Sequence, residues 1–109
     1  MNWIQLTNTD QLDSIKQKSH QVPQVIFKHS TRCSISSMAL GRLERAKVPD
    51  NADFYYLDLI AHRDISSKIA EDFHVPHESP QILIIKNGSC TYNESHMGIA
   101  MDDIAEQVA

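Results

Sequence analysis

Only two cysteines occur in this chain, Cys33 and Cys90, and neither has a second thiol near it in sequence. A disulfide-stapled secreted mini-protein needs more bridges than that, so the two are expected to be free thiols of a cytosolic chain. Turn-formers are equally scarce, with Gly 3 and Pro 4, so segments should be long and loops few. Basic residues form no run, and the net charge is -4 with the histidines neutral. That balance argues against a nucleic-acid partner, because neutralising phosphates needs a basic face. No stretch approaches the roughly 18 consecutive apolar residues of a membrane span. The opening residues Met1–Asn8 have no basic region leading into an apolar one, so no secretion signal is expected. These absences predict a cytoplasmic protein with neither nucleic acid nor membrane as its partner.

What is present is the material of one ordinary core. The 109 residues are 41% hydrophobic and 22% charged, which predicts a single domain over 1–109. Trp3-Ile4-Gln5-Leu6 suits a short strand, and Asn8 with Gln11 forms a capping-box pattern ahead of Leu12 and Ile15. Val25-Ile26-Phe27 has the short continuous character of a strand buried on both faces. A helix is predicted from about Cys33 to Lys47, its apolar face formed by Ile35, Met38, Ala39, Leu43 and Ala46. Phe54–Leu59 is a further strand, and Ile65, Ile69, Ala70 and Phe73 mark a further helix that Val75-Pro76 stops. Asn87-Gly88 favours a two-residue hairpin, so Gln81–Lys86 and Ser89–Ser95 should pair as antiparallel neighbours. Met101, Ile104 and Val108 supply a last short helix. The order β-α-β-α-β-α-β-β-α predicts an α/β fold, a three-layer α/β/α sandwich around a mixed central sheet. This is the thioredoxin-like arrangement, although periodicity by itself leaves other small α/β folds open.

Local chemistry narrows the choice. In Phe27-Lys28-His29-Ser30-Thr31-Arg32-Cys33 a buried strand ends, a polar turn follows, and a cysteine starts a helix. The unsatisfied N–H groups and partial positive charge of a helix N-terminus favour thiolate, and Arg32, with His29 if protonated, would add to that. One helical turn on, where a resolving thiol would stand, is Ser36; its hydroxyl could donate to a thiolate or a mixed disulfide but could not displace it. The chemistry expected is therefore monothiol exchange, with Cys33 as nucleophile. Pro80 in His77-Glu78-Ser79-Pro80-Gln81 fits either a trans-Pro opening a strand or a cis-Pro turn, and a reactive cysteine opposite it favours cis. In the cis form the backbone of Ser79 could pair with an extended substrate. Ser95 and His96 end the last strand beside that turn and would line the same groove. His20, His62, His74 and His77 carry no ligand spacing, so no metal is expected, and Cys90 is read as structural or incidental.

With these pieces, Phe27–Leu40, Tyr55–Leu59, His77–Gln81 and Ser95-His96, the sequence resembles the YtxJ-type monothiol bacilliredoxin family. The resemblance implies a thioredoxin-like fold and thiol–disulfide exchange with proteins carrying the low-molecular-weight thiol bacillithiol. Cys33 would hold the thiol adduct transiently, with bacillithiol or another small thiol as co-substrate and no tightly bound cofactor. Ser34 departs from the proline expected after the cysteine in many members, which frees an N–H near the sulfur. Two other classes compete: a monothiol glutaredoxin-like module binding an iron–sulfur cluster or a thiol, and a thioredoxin-fold adaptor without turnover. The first typically shows Cys-Gly-Phe-Ser, whereas this chain has Cys33-Ser34-Ile35-Ser36.

Overall fold

The computed structural model describes residues 1–109. Its elements run β1 (Ile4–Gln5), α1 (Asp10–Lys18), β2 (Gln24–His29), α2 (Ser34–Arg45), β3 (Asp53–Asp58), α3 (Arg63–Phe73), β4 (Gln81–Lys86), β5 (Ser89–Ser95) and α4 (Met101–Val108), with a 3-10 turn at His96–Gly98 before α4. The strands form one five-stranded sheet in the order β1-β3-β2-β4-β5. β3 lies parallel to both β1 and β2, whereas β4 runs antiparallel to β2 and β5 antiparallel to β4.

Each face of the sheet carries its own apolar cluster. Leu12 and Ile15 of α1 and Ile65, Ile69 and Phe73 of α3 pack with Ile26, Leu57 and Leu83 on one face. Ala39 and Leu43 of α2 and Met101, Ile104 and Val108 of α4 pack with Val25, Phe27, Ile82 and Ile84 on the other. The alternation of side chains along β2 and β4 feeds both layers, which is why these strands are apolar at nearly every position.

Helix α2 departs from the expected apolar face. Ile35 and Met38 are 43% and 56% exposed, and the residues turned inward are Ser36, Ala39 and Leu43. The helix is rotated so that a polar residue of its first turn is wholly enclosed, because that residue has hydrogen-bond partners waiting inside. At the start of α1, Asn8 Oδ1 accepts from the Asp10 N–H at 2.7 Å, and Gln11 Oε1 accepts from the Thr7 and Asn8 N–H groups. The Asn87-Gly88 turn has positive φ at both residues, 53 and 80, as its hairpin requires. It is tied to the end of α1 by Asn87 N–H to Ser19 O (2.9 Å) and Gly88 N–H to Ser19 Oγ (2.8 Å).

Candidate active site

The carboxyl ends of β2 and β3 and the segments leading into α2, β4 and α4 meet at one edge of the sheet. Cys33 sits there as the residue capping α2, with extended backbone (φ -108, ψ 123) and a half-buried side chain. Its N–H donates to Ser30 O at 3.2 Å and its C=O accepts from the Ser37 N–H at 3.0 Å. The N–H groups of Ser34, Ile35 and Ser36 make no backbone hydrogen bond, so the first turn of α2 presents open donors beside the thiol. Ser34 contributes one of them where a proline could not.

Ser36 and His29 are brought together, but not in the way expected. Ser36 Oγ lies 2.7 Å from His29 Nδ1 and accepts from the Ser30 N–H at 3.0 Å, with both side chains buried. The Cys33 thiol is not among its partners. His29 stacks on Phe27 and leans on Tyr56, and burial lowers its pKa below 6.5 even though the Asp58 carboxylate and the Ser36 bond pull the other way. His29 is therefore neutral at neutral pH. The condition on its support of a thiolate, that it be protonated, is not met at neutral pH; its role in the geometry is to hold Ser36 and, through Ser36, the Ser30 turn. Arg32 is exposed and makes no hydrogen bond or ion pair.

The Ser79–Pro80 peptide bond is cis. Pro80 is buried and Ser79 half-buried, and neither the N–H nor the C=O of Ser79 makes a backbone hydrogen bond. Ser79 Oγ is enclosed without a partner. The end of β5 stands beside this turn, since Ser95 pairs with Gln81 and the His96 N–H donates to Pro80 O at 3.1 Å. His96 is exposed, with φ 55, and its Nε2 is 3.6 Å from a Glu78 carboxylate oxygen. Arg42 of α2 reaches across to Ile99 O at 3.1 Å and holds the turn after β5 against the helix. Ser79, Pro80, Ser95 and His96 thus lie close together at one edge of the sheet.

Cys90 lies elsewhere. It belongs to the first part of β5, five residues before Ser95, which at about 3.3 Å per residue is roughly 17 Å along the strand. Its thiol donates to Tyr92 O at 3.3 Å, and burial pushes its pKa up.

Two residues escaped the sequence reading. Lys28 of β2 is wholly buried, with Nζ 3.4 Å from Ser66 O and 3.4 Å from His77 Nδ1. Burial pushes it down to about 8. The signal was a lysine at the end of a strand expected to be buried on both faces. His77, set aside for want of ligand spacing, is its partner.

Comparison with known proteins bears on the family and the fold. Residues 4–104 match the family described as monothiol bacilliredoxin BrxC. Among solved structures, a candidate oxidoreductase with a thioredoxin fold is 31% identical, with TM-score 0.78 over 94% of this chain and 90% of that one. Thioredoxin from Fasciola hepatica is 16% identical, with TM-score 0.72 over 95% and 94% of the two chains. Thioredoxin from Plasmodium falciparum is 17% identical, with TM-score 0.74 over 99% and 100%. The last two share the fold.

Proposed function

The chain belongs to the monothiol bacilliredoxin family and is a thioredoxin-fold thiol oxidoreductase; from that premise we propose that it removes bacillithiol from mixed disulfides on proteins through a transient adduct on Cys33. The observation that carries this reading is the isolation of Cys33. One turn along α2 stands a serine whose hydroxyl is held by His29 and Ser30, and the other cysteine lies at the far part of β5. With no resolving thiol at hand, an adduct on Cys33 awaits an external thiol rather than collapsing into an internal disulfide.

The exchange follows in two displacements. The Cys33 thiolate attacks the bacillithiol sulfur of the mixed disulfide; the bond between the two sulfurs breaks and the protein thiolate leaves. A second bacillithiol thiolate then attacks the bacillithiol sulfur of the adduct, forming bacillithiol disulfide and returning Cys33 as thiolate. The open N–H groups of Ser34 and Ile35 support negative charge on Cys33 Sγ in both steps, and Arg32 adds an unpaired cation on the adjoining turn. The unpaired backbone of Ser79 offers an extended substrate chain a partner, with Pro80, Ser95 and His96 forming the far wall. The small thiol enters as co-substrate, in a reducing compartment that keeps Cys33 and Cys90 as separate thiols, which is the cytoplasm.

The test is reduction of an S-bacillithiolated protein, followed by intact mass. The wild-type chain should release the thiol and carry the adduct on Cys33; Cys33→Ser should do neither. Undiminished release by that variant would sink the proposal.

A further inference from the structure

On the face of the sheet that α3 covers, a cavity of about 270 Å³ opens beside the ends of β2 and β3, lined by Leu59, Arg63, Ser66, Ser67 and His77. Its surroundings are cationic. Arg63 is exposed and has no ion-pair partner. Behind Ser66 and His77 lies Lys28, none of whose surface is exposed and with which no carboxylate pairs. Enclosing an ammonium group without a counter-anion is costly, so a fold that keeps one leaves an unanswered positive field at that place. Lys28 remains charged at neutral pH despite its burial.

Hydrogen bonds join Lys28, Ser66 and His77 in one cluster. His77 Nδ1 faces both Lys28 Nζ and Ser66 Oγ (3.2 Å), and burial with the nearby Lys28 charge keeps the ring neutral at neutral pH. An Nδ1 that accepts from those two leaves the ring proton on Nε2. The Glu78 carboxylate lies 3.6 Å from His96 Nε2 and also acts on His77, where it opposes the effects of burial and of Lys28. Arg63, His77 and Ser67 thus line a space of small-ligand size, with the Lys28 ammonium enclosed behind Ser66 and His77.

The cavity shares the sheet edge of the thiol. Leu59 N–H donates to His29 O at 3.0 Å, which ties one cavity wall to the turn that carries Cys33. His77 stands two residues before Ser79-Pro80, and Lys28 pairs with Gln81 directly after it. β2 and β3 run parallel, so Cys33 at the start of α2 and Arg63 at the start of α3 both follow strands that end at this edge.

We propose that this cavity is the subsite for a carboxylate of the small thiol exchanged at Cys33, held by Arg63 with the field of Lys28 behind it. The inference rests on the exchange reading above and adds to it the part of the co-substrate that the protein recognises. It also explains how a chain of net charge -4 attracts an anionic thiol.

The experiment compares rates of Cys33 adduct formation with three disulfides: bacillithiol disulfide, the same disulfide with its carboxylates methyl-esterified, and uncharged 2-hydroxyethyl disulfide. Wild type should favour the acid over the ester by about tenfold or more, the range for a charge-assisted hydrogen bond. Arg63→Gln should lose most of that preference while keeping the wild-type rate with 2-hydroxyethyl disulfide. Arg45→Gln, which removes the same charge at the end of α2, should keep the preference. Equal rates for acid and ester, survival of the preference in Arg63→Gln, or its loss in Arg45→Gln would overturn the subsite and leave exchange at Cys33 standing. Failure of all three disulfides to form an adduct would overturn the exchange reading and the subsite with it.

Discussion

Ser36 shows how a single polar residue can turn a helix. Ile35 and Met38 are the better hydrophobes, yet they face water, and the buried position goes to a serine whose Oγ joins His29 and the Ser30 N–H. Removing that oxygen strands the buried His29 Nδ1 and the half-buried Ser30 N–H, and an unsatisfied buried donor or acceptor costs about 1–3 kcal/mol. Ser36→Ala should therefore lower the unfolding free energy by about 1–3 kcal/mol, read as a lower urea midpoint; an unchanged midpoint would mean that the contact contributes nothing. The Cys33-x-x-Ser36 spacing was legible in the sequence as the mark of monothiol chemistry. The partner of the hydroxyl was not, because apolar periodicity ranks residues by what they lose in water and carries no term for a hydrogen bond formed seven residues back. His29 illustrates the same gap. Its charge state depends on how deeply β2 is enclosed, which only the packing of Phe27 and Tyr56 around the ring decides.

At the scale of elements, the strongest sequence signals were those in which local and tertiary demands coincide. The bounds of β4 and β5 follow directly from the Ile82–Ile85 run and the Asn87-Gly88 turn, since both turn residues need positive φ and the flanking strands need the core. β2 is harder: its six residues are all buried, so its pattern carries no polar face to set against an apolar one, and Lys28 passes as a strand end. That lysine has a measurable consequence. Its pKa falls from 10.5 to about 8 on folding, so between those values the unfolded chain binds more protons and stability rises with pH. That lowering corresponds to something on the order of 3 kcal/mol carried as a cost at neutral pH. Lys28→Met should be more stable than wild type near pH 7, by up to that amount, and should lack the rise above pH 8. Urea titrations of both chains across that range decide it, and a variant less stable than wild type at pH 7 would show that the bonds to Ser66 and His77 outweigh the desolvation of the charge. A gain in stability would instead mark Lys28 as kept at a cost, on the opposite face of β2 from His29, which bonds Ser36 of α2 while Lys28 bonds Ser66 of α3.

The whole molecule is a sheet with a separate apolar cluster on each face, and the candidate site lies across the edge where both clusters end. No helix is long and apolar enough to cross a membrane. Because buried titratable groups are spread over both faces, they set one pH profile for the fold. His29 and His77 are held below 6.5, each chiefly by burial, so protons favour the unfolded chain as pH falls through that value. Asp72 acts in the same direction further down: burial works against its charge, but bonds from Lys16 and Lys68 outweigh that and lower its pKa below 3.8, a stabilisation lost on acidification. Lys28 continues the trend on the alkaline side, with stability still rising from about 8. The opposing groups come into play later. Cys90 is raised above 9.0 and Tyr55, Tyr56 and Tyr92 above 10.0, in each case first by burial, so the unfolded chain sheds these protons before the folded one and stability declines. The urea midpoint should therefore climb from about pH 5 to about pH 8, crest on the alkaline side of neutrality and decline above roughly pH 10. A midpoint that falls between about pH 6 and pH 8 would contradict the charge states assigned to His29 and His77, and with them the neutral imidazoles that position Ser36 at one face of β2 and screen Lys28 at the other.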